Sequence, residues 1–172
     1  MLVVVIGGSG SGKSEYAERR VLAAGDMPRY YVATMEPFGP EAQKRIERHR
    51  VLRAGKGFLT VERACHLEQL QLPAGGAVLV EDLSNLIANE IWSASGRGFS
   101  QHLAGEVCDG VLRLLAEHDL VVVVGNDIYR DCGELTAETE PFAALLSAVQ
   151  MFLAGRADEV TEVVCGIALR VK

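Results

Sequence analysis

Eight residues near the start of the chain have the types and spacing to hold a triphosphate. They are Gly7-Gly8-Ser9-Gly10-Ser11-Gly12-Lys13-Ser14, a complete GxxxxGK[ST] run. Glycines let successive backbone N–H groups turn inward around a phosphate, and a helix opening at Lys13 would aim its positive end at the same point. Lys13 brings a mobile charge for the β- and γ-phosphates, and the Ser14 hydroxyl is placed to ligate Mg2+. The run follows an apolar strand and precedes a helical stretch, the context this chemistry requires. It implies a nucleotide and leaves the acceptor unnamed.

A second acidic position fits the same site. Glu81 and Asp82 close the apolar strand Ala77–Val80, where nucleotide-binding α/β proteins place a carboxylate near the metal. The competing reading is an ordinary solvent-facing strand end.

The third constellation is basic. Lys44, Arg45, Arg48, Arg50, Arg53 and Lys56 put six of the 17 Lys and Arg residues into 13 positions, opposed only by Glu47. On a helix Arg45 and Arg53 flank His49 at i−4 and i+4, and like charges at that spacing destabilise an isolated helix by about 0.2–0.5 kcal/mol per pair. An anion held there would offset the repulsion. Neighbouring cations also disfavour imidazolium, which leaves His49 neutral and able to attack phosphorus. On the helix pattern alone, a solvated histidine on a basic face is favoured over a nucleophile. His66, His102 and His118 have no such surroundings and read as surface or helix-end residues.

The elements that must position these groups follow from the apolar pattern. Leu2–Ile6, Tyr30–Thr34, Phe58–Glu62, Ala77–Val80 and Leu120–Val124 read as strands, the first and last as runs buried on both faces. Lys13–Ala24, Glu41–Leu52, Leu83–Trp92, Phe99–His118 and Pro141–Ala154 read as helices, with Pro40 placed to open the second. A short helical stretch lies around His66–Leu70, and Gly125–Thr139 reads as an irregular functional loop or lid. Glu159–Cys165 and Ile167–Val171, split by Gly166, read as a terminal strand pair, with a hairpin as one arrangement. Alternating strands and helices imply an α/β fold: a mostly parallel sheet with helices on both faces, of the P-loop NTPase kind, in a single domain over residues 1–172.

Composition narrows the partners. The net charge of −6 argues against a whole-surface nucleic-acid binder, which needs a basic footprint. Cys65, Cys108, Cys132 and Cys165 form no CxxC or CxH cluster, so free thiols in a reducing cytoplasm are expected rather than a zinc site or a disulfide scaffold. The apolar N-terminus lacks a basic region and reads as a strand rather than a signal peptide. No apolar run reaches the roughly 18–20 residues of a membrane span.

Taken together, the segments resemble the bifunctional adenosylcobinamide kinase / adenosylcobinamide-phosphate guanylyltransferase family of cobalamin biosynthesis. The matching pieces are Gly7–Ser14, Tyr31-Val32-Ala33-Thr34, Arg45-Ile46-Glu47-Arg48-His49-Arg50 with Arg53, and Phe58–Glu62. Val78–Glu81 with Asn85, Leu86 and Asn89, Ala157–Val160 and Val163–Ile167 complete the set. The RIxxHxxxR segment is the most specific of them. The resemblance implies ATP- or GTP-dependent phosphorylation of the aminopropanol hydroxyl of adenosylcobinamide. It further implies transfer of GMP from GTP onto His49 and then onto the new phosphate, giving adenosylcobinamide-GDP. It associates Glu62 and Glu81 with nucleotide or Mg2+ binding, with Ser14 and Glu81 as the metal pair, and makes Thr34, Arg50 and Arg53 polar neighbours of the nucleotide. It also implies a homotrimer. The C-terminal third departs from the family pattern at Gly125-Asn126-Asp127-Ile128-Tyr129 and at Glu140-Pro141-Phe142-Ala143-Ala144, which bears on corrinoid handling and on the interface.

Two other functions stay open on the residues: a small-molecule P-loop kinase with no covalent intermediate, and a degenerate nucleotide-binding regulatory protein. A GMP adduct separates the first from the family reading, and binding without turnover marks the second.

Overall fold

The computed structural model of the chain describes residues 1–37, 39–128, 136, 137 and 139–172, without the side chains of Glu41, Arg45 and Leu52. Seven strands form one sheet: β1 (Leu2–Gly7), β2 (Arg29–Ala33), β3 (Phe58–Glu62), β4 (Ala77–Glu81), β5 (Leu120–Asn126), β6 (Glu159–Val164) and β7 (Ile167–Arg170). The α-helices among the described residues are α1 (Lys13–Leu22), α2 (Gly39–Arg53), α3 (Leu83–Trp92), α4 (Leu103–Glu117) and α5 (Glu140–Arg156).

The strand order is β3-β2-β4-β5-β1-β6-β7. The first six strands are parallel and β7 is antiparallel to β6. The terminal strand pair is therefore a hairpin, turning at Cys165 and Gly166, both at positive φ.

Alternation along the parallel strands divides the core into two layers. Val3, Val5, Leu79, Val122 and Val124 pack with Ala17 and Val21 of α1. Val4, Val80, Val121 and Val123 pack with Leu83, Leu86 and Ile87 of α3, Val111 and Leu114 of α4, and Leu146, Val149 and Leu153 of α5. Helices thus cover both faces, and each fully buried aliphatic side chain contributes about 1.5–3 kcal/mol of transfer free energy. β5 lies between β4 and β1, so Glu81 and the phosphate loop are separated by one strand.

Several boundaries differ from those expected. The helix expected from Phe99 starts at Leu103. Gly98 has φ 78, its N–H donates to the Glu90 carbonyl, and Ser100 Oγ accepts from His102 N–H. These contacts shape residues 98–102 as turns. β5 runs on through Gly125 and Asn126 because they pair with Ile6 and Gly7 of β1, so the expected loop begins later; Tyr129–Leu135, including Cys132, lie outside the described residues. His118 ends α4 as expected but is buried, edge-on to Tyr30 with ring centroids 5.8 Å apart. Cys65, Cys108 and Cys165 are free thiols. Among the described residues no helix is long and apolar enough to cross a membrane.

Candidate active site

The phosphate loop is held from below and from the side. Gly7 leaves no room for a side chain, since a Cβ would sit 2.5 Å from the Val163 carbonyl and 2.6 Å from Ser11 Oγ. Gly12, at φ 89, turns the chain into α1 through a left-handed conformation that favours glycine. The Gly166 N–H donates to the Ser11 carbonyl at 2.8 Å, so the tip of the β6–β7 hairpin braces the loop. Lys13 is buried and its Nζ donates to the Gly8 carbonyl at 3.1 Å.

Ser14, in the first turn of α1, donates to Glu81 Oε1 at 2.5 Å. Burial, and then the neighbouring Asp82 charge, push the Glu81 carboxyl up to about 8, against the lowering effects of Ser14 and Lys13. Its second oxygen, Oε2, is buried without a hydrogen-bond partner. The Ser14 hydroxyl and the Glu81 carboxyl group, with one of its oxygens orphaned, are the hard oxygen donors that Mg2+ takes, so the residues present fit that ion.

Thr34 has a different position from the nucleotide neighbour expected. It is fully buried, and its Oγ1 lies 2.9 and 2.8 Å from the carbonyl oxygens of Glu81 and Asp82 while accepting from Asp82 N–H at 2.7 Å. It holds the strand end that carries Glu81, whose peptide bond to Asp82 is cis. Asp82 caps α3 by accepting from Asn85 N–H at 2.8 Å.

A cleft of about 960 Å3 collects most of the remaining site residues. Ser9, Gly10, Ser11, Gly12, Lys13 and Ser14 line it from the phosphate loop and α1, Glu81 from β4, and His49, Arg50, Arg53 and Glu62 from α2 and β3. Gly7, Gly8 and Thr34 support the wall without lining it. Arg50 pairs with Glu62 at 2.5 Å on a half-exposed surface, where solvent screening leaves such a pair little net energy. Arg53 is only 7% exposed, with its guanidinium carbon 3.7 Å from the centroid of the Tyr31 ring. The Arg45 side chain, the other cation expected beside His49, lies outside the described residues.

Sequence reasoning did not single out Tyr31, Asn85 or Asn126 as cleft residues. The available signal was general: Asn126 ends β5 and Asn85 follows β4, and ligands of open parallel sheets bind outside the carboxyl ends of strands. His66 also has more company than expected, with Glu90 Oε1 accepting from its backbone N–H at 2.5 Å and Arg97 Nε donating to its ring Nδ1 at 2.9 Å.

The model of the cobinamide kinase / cobinamide phosphate guanyltransferase family matches residues 3–171. The chain belongs to this family. The bifunctional adenosylcobalamin biosynthesis protein CobU of Escherichia coli strain K12 is 28% identical over 185 residues, covering the whole of both chains. Its namesake from Salmonella typhimurium strain LT2 matches at the same identity and coverage. Among solved structures, the flagellar accessory protein FlaH from Methanocaldococcus jannaschii superposes with a TM-score of 0.56 at 13% identity, covering 99% of this chain and 77% of that one. The ATPase domain of G40P gives 0.52 at 7% identity, over 94% and 68%. These two likenesses concern the fold alone, a mostly parallel P-loop sheet. In this chain Ser9–Ser14 of the phosphate loop, His49, Arg53, Glu62 and Glu81 line one cleft.

Proposed function

We propose that this protein works in cobalamin biosynthesis, phosphorylating adenosylcobinamide and then converting the product to adenosylcobinamide-GDP through a GMP carried on His49. The observation that carries the reading is the cleft shared by the phosphate loop and His49. A simple kinase needs the first and has no use for the second. The reading takes residues 1–172 as one nucleotide-binding domain. It includes the homotrimer and the cytoplasmic location that the resemblance implies.

In the kinase step the loop N–H groups and Lys13 orient the β- and γ-phosphates of ATP or GTP. The aminopropanol hydroxyl attacks the γ-phosphorus, its proton leaves, and the nucleoside diphosphate departs. Ser14 and Glu81 would hold Mg2+, which when bound neutralises charge on the phosphate oxygens. In the guanylyl step a ring nitrogen of His49 attacks the α-phosphorus of GTP. The N–P bond forms as the bond to the β-phosphate oxygen breaks, and pyrophosphate leaves with the electron pair. The acceptor phosphate then takes the GMP and frees the imidazole.

Incubation with Mg2+ and GTP labelled in the α-phosphate, followed by denaturing electrophoresis, tests the reading. A labelled band is expected; its absence at saturating GTP, with phosphorylation of adenosylcobinamide intact, would leave a P-loop kinase without a covalent intermediate.

A further inference from the structure

Away from the nucleotide cleft, distant parts of the chain bring five ionisable side chains to one place. His66 precedes the short 3-10 turn Leu67–Gln69, which carries Glu68. Glu90 comes from α3 and Glu106 from the first turn of α4. Arg97, between those helices, reaches all of them. It pairs with Glu68 and Glu106, its Nε lies 3.8 Å from Glu90 Oε2, and the same Nε donates to His66 Nδ1 at 2.9 Å. None of these five residues lines the nucleotide cleft.

Two features go beyond an ion-pair network. Glu90 is only 1% exposed, and its Oε2 is buried without a hydrogen-bond partner. That oxygen faces the other groups, 3.9 Å from His66 Nδ1, and a buried carboxylate oxygen left without a donor or metal is costly. The His66 ring is the second feature. Arginine has no acceptor atom, so Nδ1 presents its lone pair to the cluster. The ring proton then sits on Nε2, which donates to the Ser95 carbonyl at 2.8 Å. A metal-binding imidazole is held in this way, one nitrogen facing the ion and the other anchored on a backbone carbonyl.

Distance and charge define the ion. One ring nitrogen of His66 and one oxygen each of Glu68 and Glu90 lie within 4.8 Å of one another. Bonds of about 2.0–2.2 Å to Zn2+ put two ligands of a tetrahedral ion about 3.3–3.6 Å apart, so the three atoms need draw in by only about 1 Å. Three carboxylates share one guanidinium here, and a dication balances the two charges left over. Arg63, the next cation at hand, is held on the His66 carbonyl oxygen. An imidazole among carboxylates favours a borderline transition ion over Mg2+ or Ca2+, which take oxygen ligands.

We propose that His66 Nδ1, Glu68 and Glu90 form a site for a divalent transition ion, Zn2+ foremost, which exchanges with the Arg97 guanidinium. On uptake Arg97 withdraws to Glu106, the most exposed of its partners, and a water completes the tetrahedral shell. The ion ties the Leu67–Gln69 turn to α3.

The test titrates the full chain with Zn2+ in saturating Mg2+ and a non-hydrolysable GTP analogue, so that Ser14 and Glu81 are already engaged. Co2+ serves as the spectroscopic stand-in. Wild type is expected to bind one Zn2+ and to give the visible d–d bands of tetrahedral Co2+. Glu90→Gln should weaken Zn2+ at least tenfold and remove those bands. His66→Asn, which suits the left-handed backbone of that residue, should do the same. Arg97→Gln should tighten Zn2+ at least fivefold by removing the competing cation, which a variant that merely unsettled the fold could not do. Affinity for the GTP analogue should stay within twofold in all three. Absence of Zn2+ binding in wild type, or binding untouched by His66→Asn, would overturn the site. Unchanged or weaker binding in Arg97→Gln would overturn the exchange, and the proposal with it.

Discussion

The hydroxyl of Ser14 donates to Glu81 Oε1 across 67 residues of sequence, tying the phosphate loop to the end of a strand one position beyond its own neighbour β5. The two residues meet with the carboxyl already pushed up to about 8, first by burial and next by Asp82. A proton and the proposed Mg2+ would therefore compete for the same oxygens.

That competition has a measurable sign. A dication at Ser14 and Glu81 favours the ionised carboxyl, so uptake of Mg2+ with nucleotide should expel about one proton at pH 7 and close to none above pH ~9. Mg2+ affinity should accordingly rise with pH up to about pH 9 and then level off. In the metal-free protein, a folded-state value raised from 4.5 to about 8 gives a stability contribution present at low pH and lost as pH rises through 8. Calorimetry in buffers of different ionisation enthalpy counts the protons, with Glu81→Gln as the comparison. The same proton count in both proteins would contradict the assignment.

The contacts of Gly7 predict that a single methyl disables the loop. A Cβ at Gly7 would meet backbone oxygen of β6 at 2.5 Å, and backbone cannot swing aside as a side-chain tip does. Gly7→Ala should cost about 1–3 kcal/mol by overpacking and lower nucleotide affinity at least tenfold. Gly105→Ala in α4, where nothing lies within 4 Å, should instead be neutral or stabilising by about 0.4–1 kcal/mol. Thermal melts and nucleotide titrations of the two variants check both statements.

Much of this arrangement was legible because local pattern and tertiary role agree. Leu120–Val124 is apolar at every position, and in the sheet it is buried on both faces between β4 and β1. The glycines and Lys13 announce their chemistry by spacing alone. His118 and Arg53 were not legible in this way, since each packs against an aromatic ring distant in sequence, Tyr30 and Tyr31. Arg53 looks like one more cation on a solvated helix face until β2 is placed beneath it. Thr34 is similar, because its hydroxyl acts on Glu81 and Asp82 across a strand pairing that periodicity cannot reveal.

Lys13 gives a direct test of the nucleotide site. Its Nζ donates to the Gly8 carbonyl, and in the proposed reaction it bears on the β- and γ-phosphates. Lys13→Ala should weaken triphosphate binding at least tenfold and abolish both phosphorylation and adduct formation. Unchanged affinity and turnover would sink the phosphate-loop assignment.

His49 separates the bifunctional reading from its rivals. With Mg2+ and GTP the protein should form a GMP adduct that is labile to acid and stable to base. Protonating the nitrogen of a phosphoramidate turns it into a good leaving group, whereas serine and threonine phosphoesters survive acid. Asn keeps polarity without a nucleophilic ring nitrogen, so His49→Asn should remove the label while GTP affinity stays within about twofold to threefold. Phosphorylation of adenosylcobinamide should continue in that variant, because the step draws on Lys13, Ser14 and Glu81. Peptide mapping must place the label on His49. A label on another residue, or persistence of the adduct in His49→Asn, would assign the cleft's histidine a binding role and return the chemistry to the phosphate loop alone.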